Sequence, residues 1–206
     1  ALGLITKYIN ADISILDFVK NANKFGHEID ALIICYSHGY DRPFVEKLER
    51  EFPKTYLIKV NHSYDMERDL RKRGIRAKDF MPLIYAETLE NYGLLPYSTY
   101  RNTVLIKAML LEMDALFFVD TDVYPLLLKP SHRKSNLPDY ISLKDTKELE
   151  DYELEEIDFF ERHFKYLSQN DVMVTTSDYS GYYIIPPMEY SHLDEYLGGL
   201  QKESAI

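Results

Sequence analysis

A chain of 206 residues with 46% hydrophobic content is large enough to enclose one substantial core and reads as a globular domain. The formal charge of −10 argues against general nucleic-acid binding, whose footprint is basic, and the single cysteine, Cys35, excludes a disulfide framework. No apolar run approaches the roughly 20 residues of a membrane-spanning helix and no signal-peptide pattern is visible, so a soluble protein of a reducing, cytoplasmic compartment is expected.

In chain order, Leu2–Ile5 is a short apolar strand that leads to Thr6, Lys7 and Tyr8. Asp12 or Ser14 then caps a helix running to about Lys24, with Ile15, Phe18, Val19 and Ala22 on one face and Gly26 as its stop. Ala31–Tyr36 is the second strand, ending in Ser37 and His38. Pro43 opens a helix through Phe44–Phe52, and Thr55–Val60 is the third strand, ending at Asn61 and His62. Strand, helix, strand, helix, strand at this spacing predicts right-handed crossovers and a parallel sheet. In such a sheet Thr6, Lys7, Tyr8, Ser37, His38, Asn61 and His62 share the edge where a nucleotide is expected, although ordinary loops carry the same residue types. Neither a dinucleotide fingerprint nor a P-loop signature is present.

Residues 65–80 carry the one basic cluster, Arg68, Arg71, Lys72, Arg73, Arg76 and Lys78. A solvated helical face is the plain reading, and a surface for a diphosphate or an anionic lipid headgroup the functional one. Met81–Leu95 follows as a further helix. From Tyr100 the pattern changes. Arg101 and Asn102 head a helix whose broad apolar face is Val104, Leu105, Ala108, Met109 and Leu111. Ala115–Val119 is then a continuous apolar run, as a strand covered on both faces requires, and it stops on Asp120, Thr121 and Asp122. On an extended strand Asp120 and Asp122 point the same way. Two adjacent carboxylates repel, and a hard cation such as Mn²⁺ or Mg²⁺, which prefers oxygen ligands and substrate phosphates, removes the conflict.

This helix, strand and Asp-Thr-Asp segment, placed after half a nucleotide-binding domain, resembles the donor-site core of GT-A fold glycosyltransferases. The resemblance covers residues 1–125 in organisation. It implies a Rossmann-like α/β domain over residues 1–206, with a mostly parallel central sheet flanked by helices, a nucleotide-sugar-binding half over 1–125 and an acceptor-side half over 126–206. It further implies a hexosyltransferase-like activity on a nucleotide-diphosphate sugar and a saccharide or glycolipid acceptor, the latter with peripheral membrane contact. Asp122 would be the direct ligand of Mn²⁺ or Mg²⁺, with Asp120 reaching the metal through water or the donor ribose. Thr6, Lys7 and Tyr8 would face base and ribose, with Ser37, His38, Asn61 and Asn102 along the same edge. Arg101 is the expected cation for the donor phosphates, because a guanidinium binds two oxygens at once.

Beyond the aspartates, 130–138 reads as a polar loop and Lys144–Gln169 as a strongly acidic amphipathic helix. Val172–Thr175 and Tyr182–Ile185 read as a small C-terminal hairpin on the acceptor side. Asp178, in its connection, is the candidate general base or hydroxyl-orienting group, with an Asx turn as its alternative. His192 is the candidate late metal ligand, and His163 a poorer one. Two rival readings attach to the same residues. One is a haloacid-dehalogenase-type phosphatase with Asp120 as nucleophile, and the other a nucleotide-sugar-binding module without turnover.

Overall fold

The computed structural model describes residues 1–52, 54–85, 97–130 and 152–177. Strands β1 (Leu2–Ile9), β2 (Leu32–Tyr40), β3 (Thr55–Lys59) and β4 (Phe117–Val119) form an all-parallel sheet in the order β3-β2-β1-β4. Helix α1 (Ile15–Lys24) joins β1 to β2 and α2 (Arg42–Glu51) joins β2 to β3. Helices α3 (Tyr64–Lys72), α4 (Ala77–Ile84) and α5 (Tyr97–Leu110) precede β4. The expected α/β architecture, a parallel sheet flanked by helices, is therefore present. A separate two-stranded sheet pairs β5 (Leu126–Pro130) with β6 (Tyr152–Glu156), and helix α6 (Phe159–Leu167) follows.

Strand alternation divides the core between the two sheet faces. Leu2, Leu4, Leu32, Ile34, Phe117 and Val119 pack with Ile15 and Phe18 of α1, Leu48 of α2 and Phe160 of α6. On the opposite face Ile5, Ile33 and Cys35 pack with Tyr100, Val104 and Ala108 of α5. Helices α3 and α4 form a smaller cluster of Met66, Leu70, Phe80 and Ile84 against Ile106 and Leu110 of α5. Gly3 lets α5 approach β1, since a Cβ there would lie 2.6 Å from Val104 Cγ1. The described residues group into two compact units, Ala1–Leu127 with Glu156–Thr176, and a second that includes Leu128–Pro130, Tyr152–Glu155 and Ser177.

Several sequence expectations need correction. The acidic helix expected over Lys144–Gln169 is not continuous: Tyr152–Glu156 is strand β6, and α6 starts only after Asp158. The sequence Tyr-Glu-Leu-Glu-Glu satisfies a two-residue alternation as well as a helical one, and pairing with β5 decides for the strand. Asp158 then caps α6, its carboxylate accepting from the backbone N–H groups of Phe160 and Glu161. Val172–Thr175 belongs to no strand, and Tyr182–Ile185 lies outside the described residues. Of the helix expected over Met81–Leu95, the first residues belong to α4, which starts earlier, at Ala77, and ends at Ile84 with Tyr85 extended, and residues 86–95 lie outside the described residues. The apolar run before the aspartates is covered unevenly, because β4 is an edge strand of the described sheet and Phe118 is 36% exposed. In the basic cluster Arg68, Arg71, Lys72 and Arg76 pair with acidic residues three or four positions away or adjacent, and Arg73 pairs with Glu112. A solvated helical face describes it.

Candidate functional site

Topology alone selects a place for a ligand. The chain builds outward from β1 through β2 to β3, then crosses the other sheet face by α5 and adds β4 on the opposite side of β1. Where strand order reverses, the loops leaving the two strands diverge and open a crevice at their carboxyl ends. Here those strands are β1 and β4. Their ladder ends with Leu4 opposite Val119, and β1 continues through Thr6, Lys7 and Tyr8 while β4 gives way to Asp120. The end of β1 with Thr6, Lys7 and Tyr8 and the aspartates after β4 thus flank the switch point, within one compact unit.

The two aspartates do not lie on an extended strand. β4 ends at Val119, and Asp120–Asp122 enter a turn, so strict alternation does not orient their side chains. The main chain of the turn is instead held by Ser14. Its hydroxyl donates to the Asp120 carbonyl at 2.9 Å, and its backbone N–H donates to the Thr121 carbonyl at 3.1 Å. Ser14 occupies the N-cap position of α1 but makes no side-chain cap, and it is 1% exposed. Sequence reading found Ser14 only as a helix cap. A contact between residues 106 positions apart leaves no local signal.

Arg101 reaches the same turn. Its Nη2 lies 3.9 Å from Asp120 Oδ1, with both side chains partly exposed to solvent. Arg101 was expected at a helix head, but α5 runs from Tyr97, so the guanidinium projects from its second turn, with half-buried Asn102 beside it. An exposed pair at this distance contributes little to folding, so the arginine stays available to an anion. One carboxylate, a forked cation and a second carboxylate two residues on make an arrangement able to hold a cation together with a diphosphate.

At the end of β1 the Thr6 hydroxyl donates to the Tyr8 carbonyl at 3.0 Å. The β1–β2 register shifts between Thr6 and Tyr8, so that Ser37 and His38 together oppose Lys7. Such a bulge re-aims side chains at a sheet edge. Ser37 is buried, and its Oγ lies 2.7 Å from Nδ1 of exposed His38. The Tyr8 ring lies over Gly39, where an added Cβ would come 3.3 Å from Tyr8 Cε2. Tyr8 and Tyr40 are 47% and 43% exposed, so this edge offers aromatic surface. Burial pushes the Tyr36 hydroxyl, in edge-on contact with Tyr40, above its ordinary pKa. Asn61 follows β3 in a left-handed conformation (φ 60°), which asparagine tolerates. Lying beyond the outer strand β3, it is about 14 Å from β4 by strand spacing and apart from the aspartate turn.

Asp178 and His192 lie outside the described residues. Among the described residues no group of three or more His, Cys, Asp or Glu side chains forms a metal site. Two carboxylates nevertheless suit Mg²⁺ or Mn²⁺, which retain water and take further oxygens from a substrate diphosphate. His163 is engaged elsewhere. Its Nδ1 lies 2.8 Å from Thr175 Oγ1, its ring packs on Phe117 and Phe159, and burial lowers its pKa. No protein-family model, curated protein or solved structure matches the chain. No helix among the described residues is long and apolar enough to cross a membrane.

Proposed function

We propose that this chain is a metal-dependent glycosyltransferase of the GT-A type, moving a sugar from a nucleotide-diphosphate sugar to a hydroxyl of a glycan or glycolipid. The observation that carries the reading is the approach of Arg101 to Asp120 at the switch point between β1 and β4, with Asp122 two residues on in the same turn. Bound Mn²⁺ or Mg²⁺ would offset the charge that collects on the leaving nucleoside diphosphate. Asp122 is assigned as its protein ligand, with Asp120 reaching it through water or binding the donor ribose. Arg101 donates to two phosphate oxygens from a rigid fork, orienting the diphosphate. Thr6, Lys7 and Tyr8 face the nucleoside, with Ser37 and His38 next along the edge. Asp178 is assigned to the acceptor hydroxyl and His192 to the metal, both on the sequence alone.

Calorimetric titration tests the reading, using UDP, GDP, ADP, CDP and their sugar conjugates with and without Mn²⁺, on the wild type and Asp122→Ala. Metal-dependent binding of one nucleotide, lost in the variant, supports it. No binding of any of them, together with p-nitrophenyl phosphate hydrolysis that Asp120→Asn abolishes, overturns it in favour of a phosphatase. Metal-dependent binding without release of nucleotide from any sugar conjugate in the presence of acceptors would leave only a binding module.

A further inference from the structure

We infer that Ser14 is a positioning residue for the Asp120–Asp122 turn, giving up its role as helix cap to hold the backbone that presents both carboxylates. The inference rests on the proposed donor site and deepens it.

Three observations converge on this residue. A serine in the N-cap position ordinarily turns its hydroxyl back on the helix's own free N–H groups. At Ser14 that bond is absent, although its carbonyl still accepts the first helical bonds from Asp17 and Phe18. The hydroxyl instead donates to the Asp120 carbonyl at 2.9 Å, and the Ser14 N–H donates to the next carbonyl, Thr121, at 3.1 Å. Two bonds from one residue to consecutive carbonyls hold both peptide units that flank Thr121, where a single bond would leave one of them free. The clamp is also 1% exposed, so water does not compete for its hydroxyl.

The site needs such a clamp. β4 contributes only three residues to the ladder, and the turn begins at once after Val119. Among the described residues the ladder therefore stops before the carboxylates. Metal binding by two carboxylates requires a narrow geometry, above all for Mg²⁺ and Mn²⁺. Helix α1 supplies the missing reference, because Ile15 and Phe18 anchor its amino-terminal half in the core. Removing the hydroxyl frees one carbonyl and leaves the N–H bond in place, so the turn loosens without losing the fold.

The test is electron paramagnetic titration of Mn²⁺ into the full chain with saturating UDP, GDP, ADP or CDP in turn. It is run on wild type, Ser14→Ala and Ser14→Thr, with the melting temperature of each. Ser14→Ala is expected to bind Mn²⁺ about fivefold to tenfold more weakly, the equivalent of one net hydrogen bond, while melting close to wild type. Ser14→Thr, which restores the hydroxyl, is expected to restore the affinity and the bound-Mn²⁺ spectrum. Equal affinity in wild type and Ser14→Ala overturns the positioning role and leaves the donor site standing. A loss in Ser14→Ala that only follows a drop in melting temperature also overturns it. Failure of the wild type to bind Mn²⁺ with any of the four nucleotides overturns the donor-site reading and the inference with it.

Discussion

The Cα of Gly3 and the side chain of Val104 are so close that a Cβ on Gly3 would stand 2.6 Å from Val104 Cγ1. Val104 is fully buried in α5 and cannot swing aside. Gly3→Ala should therefore destabilise the protein by about 1–3 kcal/mol through overpacking. Urea unfolding checks this, and Val104→Ala in the same chain should recover part of the loss, giving a non-additive cycle. Additive effects would show that α5 and β1 are not in contact.

Asn21 is a second structural joint. It is completely buried on α1, its Nδ2 donating to the Ile157 carbonyl at 2.8 Å and to Glu156 Oε1 at 3.2 Å. Its Oδ1 accepts from the Phe159 N–H at 3.2 Å. Beside it the His27 Nε2 lies 2.8 Å from Asp158 Oδ1, the carboxylate that caps α6. Asn21→Ala leaves a carbonyl and an N–H unpaired, so a loss of about 2–4 kcal/mol is expected by urea unfolding. A loss below about 0.5 kcal/mol, the range of surface substitutions, would rule out a joint there.

Arg101 separates stability from binding. Its contact with Asp120 is long and both side chains are exposed, so Arg101→Ala should leave unfolding free energy within about 0.5 kcal/mol of wild type. On the proposed donor-site reading, affinity for a nucleoside diphosphate should fall by about tenfold or more on loss of a charge-assisted phosphate contact. Arg101→Lys should recover little, since a point charge does not reproduce the fork. Calorimetry and thermal melting on the same samples decide, and unchanged affinity removes Arg101 from the site.

Lys24 and Glu156 predict an acid-limb effect. The Lys24 ammonium bonded to Glu156, helped by the Asn21 amide, holds that carboxyl below its ordinary pKa. A depressed carboxylate contributes stability that is present above its unfolded pKa and lost as pH falls through the folded one. Glu156→Gln should flatten the decline in unfolding midpoint below about pH 4.5, and an unchanged slope would dismiss the pair.

Cys35 tests the core directly. Burial raises its thiol to about 12 despite a hydrogen bond with Thr103. A thiol-reactive dye at pH 8 should leave the folded protein unlabelled and modify one cysteine per chain in urea. A raised pKa makes this contribution fully present below the unfolded value near 9 and lost as pH rises toward about 12. Cys35→Ala should therefore soften the alkaline decline. Rapid labelling without denaturant would contradict the packing of β2 under α5.

The sequence by itself determined the β-α-β-α-β order, the parallel sheet and the position of the aspartates, because each element buries its own apolar face and so writes a local period. Leu32 to Cys35 can be read as a buried strand and Ile15, Phe18 and Ala22 as a helix stripe without reference to any other residue. Which strand each carboxylate follows was equally legible. The tertiary structure alone decided that Asp120 and Asp122 sit in a turn, that Tyr152–Glu156 pairs as a strand, and that Val172–Thr175 does not. It alone turned the Ser14 hydroxyl from its helix to the Asp120 carbonyl and brought Arg101 to the same carboxylate. Those outcomes rest on hydrogen bonds and pairings between distant segments, whose partners have no periodic signature and exist only once the chain has closed on itself.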